Sequence, residues 1–163
     1  MKIPFSPSVY EHAARMVERS PWDVSRDPDL MFEGHKRAYQ EYRHSPIVVG
    51  IDIYNLEAEA YGASVHRPAG NGIPAVTEPL CHSIDEGLAL KPYDPQSDGR
   101  LAMVIGVGKR LAKSLPEAGV RIPVAGPFSI AFNLRGITNL CLDVATRPAD
   151  VAKFLMQISE YQA

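Results

Sequence analysis

The 163 residues carry 17 lysines and arginines against 19 aspartates and glutamates, a formal net charge of −2, so no global positive field draws the chain to nucleic acid or to an anionic membrane surface. Hydrophobic residues make up 45% and charged residues 22%, which suits one globular domain, and no apolar run nears the roughly 18 residues of a membrane span. Met1 to Ser8 lacks the apolar stretch of a signal peptide, and two cysteines, Cys81 and Cys141, are too few for a disulfide framework, so the sequence reads as cytoplasmic.

In chain order, Ser6-Pro7 predicts a helix start, with Val9, Ala13, Met16 and Val17 on one face, and Ser20-Pro21 predicts its end. Asp27-Pro28 opens a second helix, with Met31, His35, Ala38, Tyr39 and Tyr42 as its buried stripe and an end near His44. Pro46 to Ile53 is a continuous β-branched run, the pattern of a strand covered on both faces in a parallel sheet. Glu57 to Tyr61 predicts one helical turn stopped by Gly62. Residues 63 to 100, rich in Pro and Gly, predict a long loop with short strands at Ala63–His66 and Ala75–Thr77.

Ser97 or Asp98 starts a long helix that buries Leu101, Val104, Ile105, Leu111 and Leu115, with Arg100, Lys109, Arg110 and Lys113 as polar counterparts. Val120 to Gly126 predicts a second buried strand, Pro127 to Gly136 a helix, and Thr146-Arg-Pro148 the start of a last helix with Val151, Phe154, Leu155 and Ile158 at helical spacing. Helices alternating with buried strands indicate an α/β protein.

Three segments in this order carry a resemblance: Ser25 to Leu30 with the strand Val48 to Ile53, Glu57-Ala-Glu-Ala-Tyr-Gly62, and Asp98-Gly-Arg100 leading through a helix to Val124-Ala-Gly-Pro-Phe-Ser-Ile130. Together they resemble the superfamily of uroporphyrinogen decarboxylases and cobalamin-dependent methyltransferases. The resemblance implies a (β/α)8 barrel of about twice this length, of which residues 1–163 would be the N-terminal half, with the active site at the C-terminal strand ends. It also implies an enzyme, with this segment alone inactive.

The methyltransferase branch implies methyl transfer between a cobamide and a thiol or similar acceptor, with zinc held by residues beyond this segment and a corrinoid protein as a possible partner. The alternative within the superfamily is a decarboxylase acting on a tetrapyrrole. Against it, the arginine-rich Arg-Gln-Ala-Gly-Arg segment of the decarboxylases has no counterpart; Arg15 and Arg19 are expected to face solvent, and Asn133, after Phe132, stands where those enzymes place a Tyr. A third reading, of a different class, is a non-catalytic half barrel completed by a partner chain or by oligomerisation, since an open barrel exposes sheet edges.

Asp52 is the candidate catalytic residue, a carboxylate at the end of a buried strand, where charge is costly unless paired or used; the structural alternative is a turn-capping Asp. In the decarboxylases an Asp at this strand end binds the pyrrole nitrogens. Tyr54, Asn55, Glu57, Pro127, Phe128 and Ser129 are the candidate substrate-binding residues. Glu59 follows Glu57 by two positions, so at most one of them faces the site, and either can simply stabilise a helix N-terminus.

Cys81-His82 resembles a metal pair, but adjacent ligands diverge and His12, His35, His44 and His66 are scattered, so no metal site is expected in this segment. Gly106-Val-Gly-Lys109 fits neither a phosphate loop nor a dinucleotide fingerprint; its glycines predict close helix packing.

Overall fold

The computed structural model describes residues 6–162, a mixed α/β arrangement that is mostly helical. These residues form two compact units. The first takes in residues up to Ile53, Arg67–Pro74 and Ala102–Pro123; the second takes in Tyr54–His66, Ala75–Leu101 and the residues from Val124 onward.

In the first unit, the N-terminal helix is shorter and later than Ser6-Pro7 predicts. Residues 6–9 are not helical, Tyr10 sits at φ +26, and α1 is His12–Arg15. Ser20-Pro21 begins a helix rather than only ending one: the Ser20 hydroxyl accepts the N–H of Asp23, and Pro21 stands at the first position of α2 (Pro21–Val24). Asp27 caps α3 (Pro28–Tyr42), its Oδ1 accepting the N–H groups of Asp29 and Leu30 at 2.8 and 2.9 Å. Met31, His35, Ala38 and Tyr39 are buried as predicted; Tyr42, at the helix end, is exposed.

The β-branched run forms a much shorter ladder than expected. β1 (Ile47–Val48) pairs in parallel with β4 (Val120–Arg121). Gly50 turns the first strand out at φ +128, and Pro123 has no N–H to continue the second. The parallel sense and the burial of Ile47, Val49 and Ile51 agree with the reading of a covered strand.

α6 (Leu101–Ser114) starts three residues after Asp98, because Asp94, Ser97 and Asp98 bond one another in a turn and Gly99 sits at φ +60. It buries Val104, Val107 and Leu111, while Ile105 and Leu115 are only partly covered. The Gly106-Val-Gly-Lys109 segment lies inside this helix. Gly108 is needed for packing, since a Cβ there would meet Ile122 Cδ1 at 2.7 Å; Gly106 has open space.

His35 and His44 are fully buried in this unit. His35 Nε2 faces the N–H and C=O of Gly50 at 3.0 and 3.1 Å, which ties α3 to the end of β1, and its Nδ1 has no partner. Burial pulls the His35 imidazole down to about 4 and lowers that of His44. A histidine held neutral in the fold but free to protonate when unfolded lends stability above the unfolded value, near 6.5, and loses it as pH falls toward 4. We expect His35 alone to cost about 2 kcal/mol between pH 7 and pH 5, read from urea midpoints. Equal midpoints at the two pH values would contradict this.

The second unit begins at Tyr54, and its first helix, α4 (Leu56–Ala60), is stopped as predicted at Gly62, φ +100. β2 (Val65–His66) and β3 (Ala75–Val76) pair in antiparallel, at the positions expected within the loop. The loop also holds α5 (Ile84–Leu88), which the Pro-rich composition obscured. Ser83 Oγ accepts the N–H of Glu86, and Glu86 Oε2 accepts the N–H of His82, a variant of the capping box.

α7 (Pro127–Arg135) and α9 (Pro148–Tyr161) begin at their prolines as predicted. Between them lies α8 (Ile137–Thr146), separated from α7 by Gly136 at φ +76. The core of this unit gathers Ile84, Ile130, Leu134, Leu140, Val151, Phe154 and Ile158.

Candidate functional site

The turn after residue 53 and the first turns of α7 make a pocket of about 330 Å3 lined by Tyr54, Phe128, Ser129, Phe132 and Asn133. Pro127 sets the helix start, and Phe128 and Phe132, one turn apart, share a face. The Asn133 side-chain amide donates to the backbone carbonyl of Tyr54, which fastens the turn to α7. A smaller cavity of about 200 Å3 shares Phe132 and Asn133 and continues over Val76, Thr77, Pro79, Gly136 and Ile137. No lining residue of the larger pocket carries a formal charge, and three of its five side chains are aromatic rings.

The structure therefore brings together three of the expected substrate-binding residues, Tyr54, Phe128 and Ser129. Phe132 and Asn133 belong with them. Their signal in the sequence is the four-residue spacing from Phe128 and Ser129, which puts them on the next turn of the same helix face.

Asn55 and Glu57 are buried, at 1% and 2% exposure, and do not line this pocket. Glu57 Oε1 accepts the N–H of Ala125 at 2.8 Å, while its Oε2 is buried without a partner. Burial raises the Glu57 carboxyl and outweighs the lowering by the backbone bonds. Nearby, burial and the neighbouring Tyr93 hold the Tyr61 phenol well above its ordinary value; the two rings meet edge to face at 4.9 Å.

Glu59 pairs with Arg100, which is buried although the sequence reads it as a polar counterpart to the helix's apolar face, and Glu59 neutralises it. The other buried arginine of this unit, Arg135, is held by Asp143 at 2.8 Å.

Asp52 belongs to the first unit, where it is 1% exposed beside Ile51. Arg15 and Arg19 are exposed as expected, and with Glu11, His12, Ala14, Pro21 and Asn71 they line an open cavity of about 270 Å3.

Cys81 is buried, its N–H bound to the carbonyl of Leu134 at 2.8 Å, and burial pushes its thiol up to about 11, which makes it a packing residue rather than a nucleophile or ligand. Among the described residues no group of three or more His, Cys, Asp or Glu side chains could hold a metal ion.

A family model described as uroporphyrinogen decarboxylase (URO-D) matches residues 2–163. No curated protein matches the sequence. Among solved structures, the chain is similar to one described as a methyltransferase from Methanosarcina mazei, with a TM-score of 0.82 and 17% sequence identity. The match covers 98% of this chain and 48% of that one, so the chain spans about half the length of the structure it resembles. At this identity the likeness concerns the fold.

Proposed function

Because the chain belongs to the uroporphyrinogen decarboxylase (URO-D) family, we propose that it is the N-terminal half of a (β/α)8 barrel and serves methyl transfer between a cobamide and a small uncharged acceptor such as a thiol. The observation that carries this reading is the pocket at Tyr54, Phe128, Ser129, Phe132 and Asn133: it offers aromatic faces and two neutral polar groups, and no cation. A tetrapyrrole carboxylate needs free guanidinium groups. The buried arginines of the same unit, Arg100 and Arg135, already hold Glu59 and Asp143.

The pocket is far smaller than a whole cobamide, so it suits the acceptor. The cobamide, a substrate that brings the methyl group, would rest on the exposed rings of Phe128 and Phe132, free or on a corrinoid protein. Ser129 and Asn133 would orient the acceptor by hydrogen bonds. Glu57 is buried and bonded to the N–H of Ala125, so it would brace the backbone rather than touch the ligand. Among the described residues no cluster of His, Cys, Asp or Glu could hold zinc. The remaining strands of the barrel would come from polypeptide outside these residues.

Asp52 favours the decarboxylase as a second reading, because a buried carboxylate could stabilise a cation formed as carbon dioxide leaves.

Anisole, as an uncharged methylated ring, and benzoate, as a carboxylate on the same ring, separate the readings by saturation-transfer NMR. We expect a saturable signal from anisole, weakened at least tenfold in Phe132→Ala, and none from benzoate. A preference for benzoate would overturn the uncharged-acceptor reading.

A further inference from the structure

Given the methyl-transfer reading of the pocket, on which this rests, we propose that Asn133 makes the site selective for a protic acceptor, a neutral S–H or O–H group, over the methylated form of the same molecule. Asn133 lines both the larger cavity and the smaller one beside it. The two ends of its side chain are not equivalent. The Tyr54 backbone carbonyl can only accept, so the atom that meets it is the amide nitrogen, Nδ2. That bond fixes which way the amide is turned. The nitrogen is thereby committed to the turn at Tyr54. Oδ1 has no hydrogen-bond partner among the described residues and stays accessible, so it is the end left for a ligand.

An amide oxygen only accepts, so the ligand group that meets it must donate a hydrogen. Ser129, one turn earlier on the same face of α7, carries a hydroxyl that turns to donate or to accept, and it suits either kind of group. Phe128 and Phe132 offer no hydrogen-bonding group. The choice between donor and acceptor therefore falls to Asn133. Methylation replaces the hydrogen of the acceptor's S–H or O–H by carbon; the proton leaves to solvent, and the electron pair of the broken bond stays with the methyl donor. The product still fits the aromatic walls, but its heteroatom can no longer donate. Oδ1 then faces a methyl group, a loss comparable with one neutral hydrogen bond. The same residue favours entry of the acceptor and departure of the product.

Phenol and anisole, one ring bearing O–H or O–CH3, test this on the full 163-residue chain in titrations followed by saturation-transfer NMR. Phenol is expected to bind about fivefold tighter, although anisole is the more apolar of the two. The side-chain Cγ resonance of Asn133 should move with phenol and not with anisole, a readout that needs no variant. Asn133→Leu should remove the preference; Ser129→Ala should weaken both ligands alike and keep it. If Asn133 only anchors Tyr54, Asn133→Leu weakens both ligands by one factor, and that unchanged ratio would overturn the proposal. A preference that Ser129→Ala abolishes, or one without a response at Asn133 Cγ, would overturn it too. Equal affinities in the parent, both lowered by Phe132→Ala, would overturn the selectivity and leave the pocket reading standing. Saturable binding of neither ligand would overturn the pocket reading and the selectivity with it.

Discussion

Replacing Asp143 by alanine is expected to destabilise the protein by about 3–5 kcal/mol, because it strands a buried guanidinium. Arg135 joins α7 to α8 and to the loop before α5: Nε donates to Asp143 Oδ2 at 2.8 Å and Nη1 to the carbonyl of Cys81 at 3.4 Å. Both side chains of the pair are about nine-tenths covered. Without the carboxylate, one carbonyl remains to balance a full charge in a low-dielectric surrounding. Changing both residues, to Arg135→Met with Asp143→Leu, should restore much of the loss, since the pair itself is worth far less than the penalty for breaking it. Urea unfolding of Arg135→Met, Asp143→Leu and the double variant makes the cycle; an Asp143→Ala variant within about 1 kcal/mol of the parent would show that the pair is solvated.

Phe154→Ala is expected to cost a similar amount, about 3–5 kcal/mol, for a different reason. The ring is fully buried in the core of the second unit, and its tip meets Gly87, where an added Cβ would sit 3.0 Å from Cζ. Truncation leaves a cavity that Gly87 has no side chain to fill. The complementary change, Gly87→Ala, overfills the same contact and should cost about 1–3 kcal/mol. If Phe154→Ala unfolds at the parent's urea midpoint, the ring does not organise this core.

Much of the fold was legible because local chemistry and tertiary packing agreed. Asp27-Pro28, Pro127 and Pro148 mark helix starts through capping and fixed φ, and α3, α7 and α9 begin there. The β-branched runs announced a covered parallel pair, but not that Gly50 and Pro123 would cut it to two residues a strand.

Besides the single-turn α2, two helices escaped for opposite reasons. α5 hid in a Pro-rich stretch although Ser83-Ile-Asp-Glu86 spells a capping box. α8 hid because its apolar residues face outward and its charge faces inward, so periodicity gave no burial face to read. The site was half legible. Tyr54, Phe128 and Ser129, expected from strand-end position, meet in one pocket, while Asn55 and Glu57 are buried and do not line it. Which of two carboxylates two residues apart turns inward depends on the partners each finds, Ala125 for Glu57 and Arg100 for Glu59, and neither is near in sequence.

The pocket of this URO-D family chain is uncharged and aromatic. Equilibrium titration with methylcobalamin and, separately, with the tetracarboxylate coproporphyrin tests that most directly. Saturable methylcobalamin binding, weakened at least tenfold by Phe128→Ala with Phe132→Ala, is the predicted result. Tight coproporphyrin binding with no response to methylcobalamin would contradict it.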